Sequence, residues 1–515
     1  MPKIESLRGG INRRLPAYHP EMLTRNQCVT LQNLRYQDEI VEVITGTRKY
    51  HGSSLGAFDV TALMPYYNDQ TDQFFLLAAC GGSIFRRDEA ANEFSVLASA
   101  LTPGSVFSSA LRHGVLYIAS TNDNLKQYTG GSQIETVGGG ATAPGSFRVV
   151  VYMKEIDRLF GISDNAVFGQ ITWCDLGEPE IWDGANVERL KLKDGERVEG
   201  AEVLYGKLVI FCTYTTWIYY VSGNEENWKL EEAPTSIGCV APNTIKKDGN
   251  RILFLGESPR NALGIYAFNG STSDLLTDDI TPLLETVNTN KLRNACAEIH
   301  DDLYTFTVAL GSSLENNYAF DLDLLNRKED GTPAIYGPHT FGFTSSTVLN
   351  RRHKNKEWLL GDVNGWVYFE NGHTFKSGNG IDGETIEQDF LSAIHNEETM
   401  DVMKQYSDLS IFFRPTSYFD AIVKYYCSYG TFGEDSDFRP AVVSEGFAGE
   451  FDVHVQRNLG IPSLYEFKKY LEMSARGTSF QLEIINRVKA QRIAFSGYGF
   501  NSTELYKTER VQKYA

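Results

Sequence analysis

RILFLGESPRNALGIYAFNG, residues 251–270, holds two short apolar runs on either side of a polar interruption. Ile252 and Phe254 carry the first run, and Ile265, Tyr266 and Phe268 carry the second. Apolar positions spaced in this way, over so few residues, suit half-buried strands. Ser258-Pro259-Arg260-Asn261 interrupts the pattern and Asn269-Gly270 closes it, so the stretch reads as strand, loop, strand, turn.

The same phrase returns along the chain. FFLLAACGGSIFRRD begins at 74, VLYIASTNDNLKQYTGG at 115 and RLFGISDNAVFGQITWCD at 158. KLVIFCTYTTWIYYVSG begins at 207, the opening phrase at 251, LYTFTVALGSSLENNYAFDLD at 303 and EWLLGDVNGWVYFENG at 357. Successive starts lie 41 to 54 residues apart. The shared grammar is an apolar strand, a polar turn and an aromatic strand ending in Gly or Asp. A strand-filled period of this length predicts an all-β protein whose central part is a β-propeller. The seven phrases predict about seven blades over residues 41–376. The apolar strand is expected nearer the axis and the aromatic strand against the next blade. DDITPLLETVN, residues 278–288, is the best candidate helix, with Asp278 or Asp279 as its cap.

Two segments fall outside this rhythm. Residues 1–40 are polar and carry Pro2, Pro16 and Pro20, which predicts an extended arm laid on the surface or on a neighbour. After the Gly-rich stretch SGNGIDGET, 377–385, the runs DLSIFFRP, YFDAIVKYYCSYG, FKKYLEMSA and SFQLEIINRVKAQRIAFSGYGF are longer. They predict a β-sandwich-like C-terminal domain over residues 385–515.

The 515 residues carry a net charge of −18, so polyanions make poor general partners for the surface as a whole. The seven cysteines are scattered and odd in number, which argues against a disulfide framework and for small buried thiols. The N-terminus has no apolar signal region. The longest apolar run, residues 74–80, is far shorter than the ~20 residues of a membrane helix, so no membrane anchor is expected. Synthesis and assembly in a cytoplasm follow from that reading.

Chemistry is sparse. Gly52-Ser53-Ser54-Leu55-Gly56 matches a nucleophile elbow in letters, but neither flank has the required strand or helix, so Ser54 reads as part of a loop. Asp321 and Asp323 lack the further ligands of a calcium loop and read as solvated. GGGATAPG, 138–145, has no lysine to hold a phosphate and reads as a connector. NRRHKNK, 350–356, is a dense basic run, read as an exposed hairpin loop pointing toward partners. No catalytic constellation, metal cluster or cofactor motif is expected, and the chain is read as not an enzyme. SGNEENWKLEEAP, 222–234, reads as an interaction surface with an exposed aromatic, Trp228.

Two stretches carry a family resemblance. The first is LRGGINRRLPAYHPEMLTRNQCVTLQNLRYQDEIVEVITG, through Gly9, Gly10, Ile11, Asn12, Leu31, Asn33, Leu34 and Gly46. The second runs from SIGCVAPNT to LTDDITPLLETVN, through Gly238, Cys239, Ala241, Pro242, Gly264, Tyr266, Gly270, Asp279, Ile280 and Pro282. Together they resemble the tail propellers of short-tailed bacteriophages, the tail nozzle or packaged-DNA stabilisation proteins. The closing SFQLEIIN and IAFSGYGF are similar as well. The resemblance implies a structural virion protein of the tail, assembled in the host cytoplasm. It implies a homo-oligomeric, hexameric ring that meets a tail adaptor and other tail or fibre proteins. The ring would extend the DNA channel and retain or conduct the genome without sequence-specific binding. An acidic lumen would let DNA slide. The other reading is a propeller of the virion that binds a host receptor or glycan.

Overall fold

The computed structural model describes residues 4–5, 8–14, 26–138, 144–164, 169–258, 263–328, 330–351, 356–377, 383–395, 402–414, 419–428, 447–455, 467–477 and 479–507. The loop 259–262, most of the connector 138–145, residues 352–355 of the basic run and residues 378–382 of the Gly-rich boundary lie outside them.

Among the described residues, seven antiparallel sheets follow one another between Val60 and Glu370. Every repeated phrase is the second and third strand of one sheet. In the fifth, Arg251–Glu257 pairs with Leu263–Phe268, placing Ile252 opposite Phe268, Phe254 opposite Tyr266 and Gly256 opposite Gly264. These middle strands have a neighbour on each edge and an adjoining sheet on each face. That is why runs such as Leu76–Cys80 and Leu208–Cys212 are buried throughout instead of alternating.

The strand that precedes each phrase lies on its inner side, and these strands touch in succession. Val60–Asn68 meets Phe107–Arg112, which meets Val149–Met153, then Val198–Leu204, Lys246–Asp248, Cys296–His300 and Ser345–Leu349, and the last returns to Val60–Asn68. The chain therefore forms a β-propeller-like ring with these strands at the axis. Apolar clusters fill the joints between neighbouring sheets. One holds Phe160, Ile162, Trp173, Leu208, Ile210 and Tyr219 between the third and fourth.

The seventh sheet draws three strands from its own stretch. Its fourth, Thr47–Lys49, comes from the other end of the ring and pairs antiparallel with Val367–Glu370. That pairing closes the circle and removes two free edges. His51 extends the joint. Its Nε2 accepts the Val367 N–H at 2.9 Å and its Nδ1 lies 2.5 Å from the Ser53 carbonyl.

The remaining strands form two six-stranded sheets. One joins Phe467–Gly477, Val402–Phe413, Ala494–Lys507, Ile40–Val43 and Leu34–Gln37, with Ile4–Glu5 also on Ala494–Lys507. The other orders Gly10–Ile11, Gln27–Gln32, Gln388–Ser392, Ser479–Asn486, Phe419–Ser428 and Phe447–Val455. Their facing sides are aromatic: Phe390 meets Phe495 at 5.0 Å, Tyr406 meets Phe480 at 5.3 Å and Phe480 meets Phe500 at 4.5 Å between ring centroids.

The N-terminal segment corrects the expectation of a surface arm over residues 1–40. Among the described residues of that span, Cys28, Leu31 and Leu34 are fully buried; Gln27–Gln32 is an interior strand of one of these sheets and Leu34–Gln37 the edge strand of the other. Proline content flagged an irregular start, but the apolar alternation of CVTLQNLRY belongs to a core strand pair. The expected helix over 278–288 is a 3-10 turn, Asp278–Ile280, followed by one α-turn, Thr281–Leu284. Neither aspartate caps it.

Asn33 ties the parts together. It turns the chain between Gln27–Gln32 and Leu34–Gln37 with φ 55°, a left-handed conformation that Asn tolerates. Its side-chain amide donates to Thr340 Oγ1 at 2.8 Å and to the Glu387 carbonyl at 2.6 Å, and its oxygen accepts the Thr340 N–H at 2.7 Å. Asn33→Ala should cost about 3–5 kcal/mol, from buried groups left unpaired plus left-handed strain. Asn33→Gly should recover roughly 1 kcal/mol of that, since only the strain is relieved. Urea unfolding of the three chains checks both figures; equal loss in the two variants would contradict this division.

Candidate functional site

The residues of the family resemblance are joints. Gly10 has φ 65° and runs so close to the sixth sheet that a Cβ would sit 2.4 Å from the Ile335 carbonyl oxygen. Gly9 donates its N–H to the Asn26 carbonyl and Ile11 is fully buried. Gly46 donates to the Gly372 carbonyl just before the closing strand. Gly238 and Cys239 form a short strand opposite Glu257 and Gly256. The Cys239 thiol points to the Ala241 carbonyl at 3.2 Å, and burial pushes its pKa up. Pro242 opens a 3-10 turn whose Thr244 accepts the Leu255 N–H and receives the Tyr304 hydroxyl on its carbonyl. Gly264 and Tyr266 lie in the strand that ends in the Gly270 turn, and Pro282 sits in the first turn of the short helix.

Two of these motifs meet in space. Asn12 donates to Asp279 Oδ1 at 3.2 Å, and the Arg13 N–H donates to the Asp279 carbonyl at 2.8 Å. Lys328 pairs with the second Asp279 oxygen. The opening segment and the helical turn after the fifth sheet are thus one structural unit.

Beside it lies a buried ionic group. Asp321, fully buried, accepts Arg35 Nη2 at 2.6 Å and Nε at 2.9 Å, contacts His339 Nε2 at 3.0 Å and accepts the Thr305 hydroxyl at 2.5 Å. Burial alone would raise its carboxyl, but Arg35 and His339 hold it well below the usual range. Asp323 accepts the Leu325 and Asn326 N–H groups and the Tyr336 hydroxyl. Both aspartates were expected in a solvated loop; charge and turn letters cannot reveal that a partner arrives from residue 35.

The axis holds a cavity of about 450 Å³, lined by the first strands of the second to fourth sheets and by Pro242, Asn243, Ile245 and Lys246. A neighbouring space of about 200 Å³ shares Phe107, Ser109, Asn243 and Lys246 with it. Within the wall, Lys246 pairs with Glu298 at 2.9 Å. Burial opposes the lysine's charge, but Glu298 outweighs it and the pKa is raised. Burial raises the Glu202 carboxyl. Glu199 is buried and receives Arg148 at 2.9 Å, Arg197 at 2.7 Å and Arg293 at 3.1 Å. None of these residues was singled out in the sequence, because they come from four different sheets and share no motif.

Other expectations resolve differently. Ser54 donates its hydroxyl to the carbonyls of Gly56 and Asn364, which makes it a loop tie. Trp228 is packed, not displayed: its ring lies 5.2 Å from Trp173 and 6.0 Å from Phe160. The turn sequence around it is exposed, but the indole is amphipathic and folds back onto the sheet. Arg351, from the basic run, has a side chain only 9% exposed, with Glu89 at 2.8 Å and Glu357 at 3.4 Å. All seven cysteines are buried and none is in a disulfide. Among the described residues no group of three His, Cys, Asp or Glu stands close enough to hold a metal, and no helix is long and apolar enough to cross a membrane.

No family model matches the chain, and no curated protein matches it. Solved structures that resemble it include YCF48 bound to a D1 peptide, at 10% identity and TM-score 0.38, covering 66% of this chain and 99% of that one. A computationally designed protein matches at 11% identity and TM-score 0.35, over 63% of this chain and 99% of the other. The extracellular domain of a hybrid two-component system from B. thetaiotaomicron matches at 10% identity and TM-score 0.32. That match covers 67% of this chain and 38% of the two-component protein.

His300 gives the site a pH dependence. It stacks on Trp358 with ring centroids 3.8 Å apart, and burial followed by the nearby Arg35 charge lowers its pKa to about 4. The unfolded chain takes up this proton near pH 6.5, before the folded one does. Stability is therefore full above pH 6.5 and falls as the pH drops toward 4, by about 3 kcal/mol. His300→Phe keeps the stacking and should flatten this fall. Calorimetric melting between pH 7 and pH 4.5 checks it; an unchanged slope in the variant would contradict the assignment.

Proposed function

We propose that this chain is a structural virion protein of a bacteriophage tail, a seven-bladed propeller joined to a β-sandwich, whose copies form a ring around the path of the DNA. The observation that carries the reading is the Asn12–Asp279 contact. Two motifs resembling those of tail nozzle proteins lie 267 residues apart, yet they build one joint. Residues spent on holding sheets together, instead of on a cleft, suit a load-bearing part. Copies would number six by the same resemblance. Such a ring would adjoin the tail adaptor and other tail or fibre proteins, and would conduct or retain the genome without reading its sequence. It would reside in the virion tail after assembly in the host cytoplasm.

The paired sheets offer a means of joining copies. Among the described residues, the outer strands Phe447–Val455 and Phe467–Gly477 each pair on one edge only. A heterologous contact made with one such edge, repeated around an axis, closes a ring. The net charge of −18 supports a wall along which DNA slides. No catalytic role is assigned to Ser54. The receptor-binding reading loses its named aromatic with the packing of Trp228 against Trp173.

Mass photometry and electron microscopy of the purified chain, alone and with the adaptor of its own phage, test the proposal. Rings of about six copies on the adaptor are expected. A chain that stays monomeric with the adaptor and binds a host glycan would overturn it in favour of the receptor-binding reading. Ser54→Ala should assemble and infect as the parent does; a large loss in a folded variant would reopen an enzymatic reading.

A further inference from the structure

We propose that His51 is an acid-sensitive latch on the seam that closes the ring, and that its protonation frees Thr47–Lys49 and the loop after it from Val367–Glu370. The seam is short: Lys49 lies opposite Tyr368, Arg48 opposite Phe369 and Thr47 opposite Glu370. One step beyond, Tyr50 donates its N–H to the Val367 carbonyl at 2.8 Å. The Val367 N–H does not return to the Tyr50 backbone but goes to a side chain, His51 Nε2, at 2.9 Å. An imidazole nitrogen stands where an antiparallel ladder ordinarily uses a carbonyl.

The two contacts of the ring fix its protonation state. A nitrogen that accepts an N–H carries no proton of its own, so Nε2 is bare. Nδ1 lies 2.5 Å from the Ser53 carbonyl, which only accepts, so Nδ1 holds the single proton. A second proton, on Nε2, abolishes the bond to Val367 and sets two N–H groups against each other. His51 is 3% exposed, edge-on to Phe94 at 5.0 Å and beside Trp366 at 5.2 Å, so little water is at hand to solvate an imidazolium.

The charged groups around the ring divide. Arg87 lies over Phe94 at 5.6 Å and Tyr50 at 4.7 Å, with Nη2 on Asn92 and with Nε and Nη1 buried and unpartnered among the described residues. Lys49 lies over Trp366 at 3.7 Å. A further cation beside these two is opposed. Glu93 and Asp362 favour a proton on His51, but both are engaged: Glu93 by the Ser53 N–H and hydroxyl, Asp362 by the Asn364 and Trp366 N–H groups. Burial, aided by Arg87, holds the imidazole below its ordinary value against the pull of the Ser53 carbonyl and these two carboxylates. A freed His51 takes up its proton near pH 6.5, before the latched one does, so the closed seam is fully favoured above about pH 6.5 and progressively less below it. At the other end Gly46, Thr47 and Lys49 donate to the carbonyls of Gly372, Thr374 and Ser377, bonds that do not titrate, so peeling starts at His51.

Hydrogen exchange of the full chain, read by mass spectrometry at about pH 7 and about pH 5 with labelling times scaled for intrinsic exchange, tests the latch. Peptides covering 47–55 and 364–370 should lose about tenfold in protection at the lower pH, measured against the second sheet of the same molecule. His51→Gln offers an amide oxygen to the Val367 N–H without titrating and should remove this response. His51→Phe keeps the packing but no acceptor; its seam should be less protected already at the higher pH and should not respond further. Glu370→Gln removes the carboxylate opposite Thr47 and should respond as the parent does. A parent seam whose protection follows the second sheet at both pH values would overturn the latch. So would a response that survives in both His51 variants, or one that disappears in Glu370→Gln.

Discussion

Asp321 keeps a negative charge where water does not reach, and Arg35 is what makes this tolerable. The side chain of Asp321 is 0% exposed and that of Arg35 14%. Removing either partner would leave the other uncompensated, at a cost of about 3–5 kcal/mol. Thr305 and His339 occupy further lone-pair directions of the same carboxylate. The pair matters beyond its own energy because of where Arg35 comes from. It lies in Leu34–Gln37, which belongs to a sheet completed by the C-terminal strand Ala494–Lys507, whereas Asp321 belongs to the sixth sheet of the ring. This ion pair therefore ties the ring to one of the two larger sheets, alongside the Asn33 and Asp279 hydrogen bonds.

Around that anchor the molecule separates its chemistry by radius. Apolar clusters occupy the joints between sheets, where each middle strand is covered on both faces. The innermost strands instead present Lys246, Glu199 and Glu202 to a cavity at the axis. Strands such as FSSALR and VEGAEVL are polar for this reason. They border water on one side and a sheet on the other.

The ring was legible in the sequence because covering both faces of a strand leaves a repeated apolar signature, seen from Phe74 to Trp366. Innermost strands such as FSSALR and VEGAEVL escaped notice because polar, half-exposed strands look like loops. The sheets built from residues 27–43 were missed for a different reason. Pro16 and Pro20 suggested an irregular arm, and nothing local tells Leu31 that its partner is Phe390. The Glu199 cluster was unreadable for the same cause: Arg148 and Arg293 reach it across 51 and 94 residues. In contrast, Asn33 and Asp279 were marked in advance by resemblance alone, and the structure supplies their physical reason in shared hydrogen bonds.

The closing strand also sets a schedule. Thr47–Lys49 has no sheet to join until Val367–Glu370 exists, and Ile40–Val43 waits for Ala494 and Phe495. Contacts that span nearly the whole chain form late and slowly, because loop closure must precede them. A chain released early from the ribosome has an open circle and an unfinished sheet, however well its middle portions have folded. The topology works as a length check: a copy cut short before Val367 cannot close the ring, and one cut short before Ala494 cannot finish the sheet that holds Ile40–Val43.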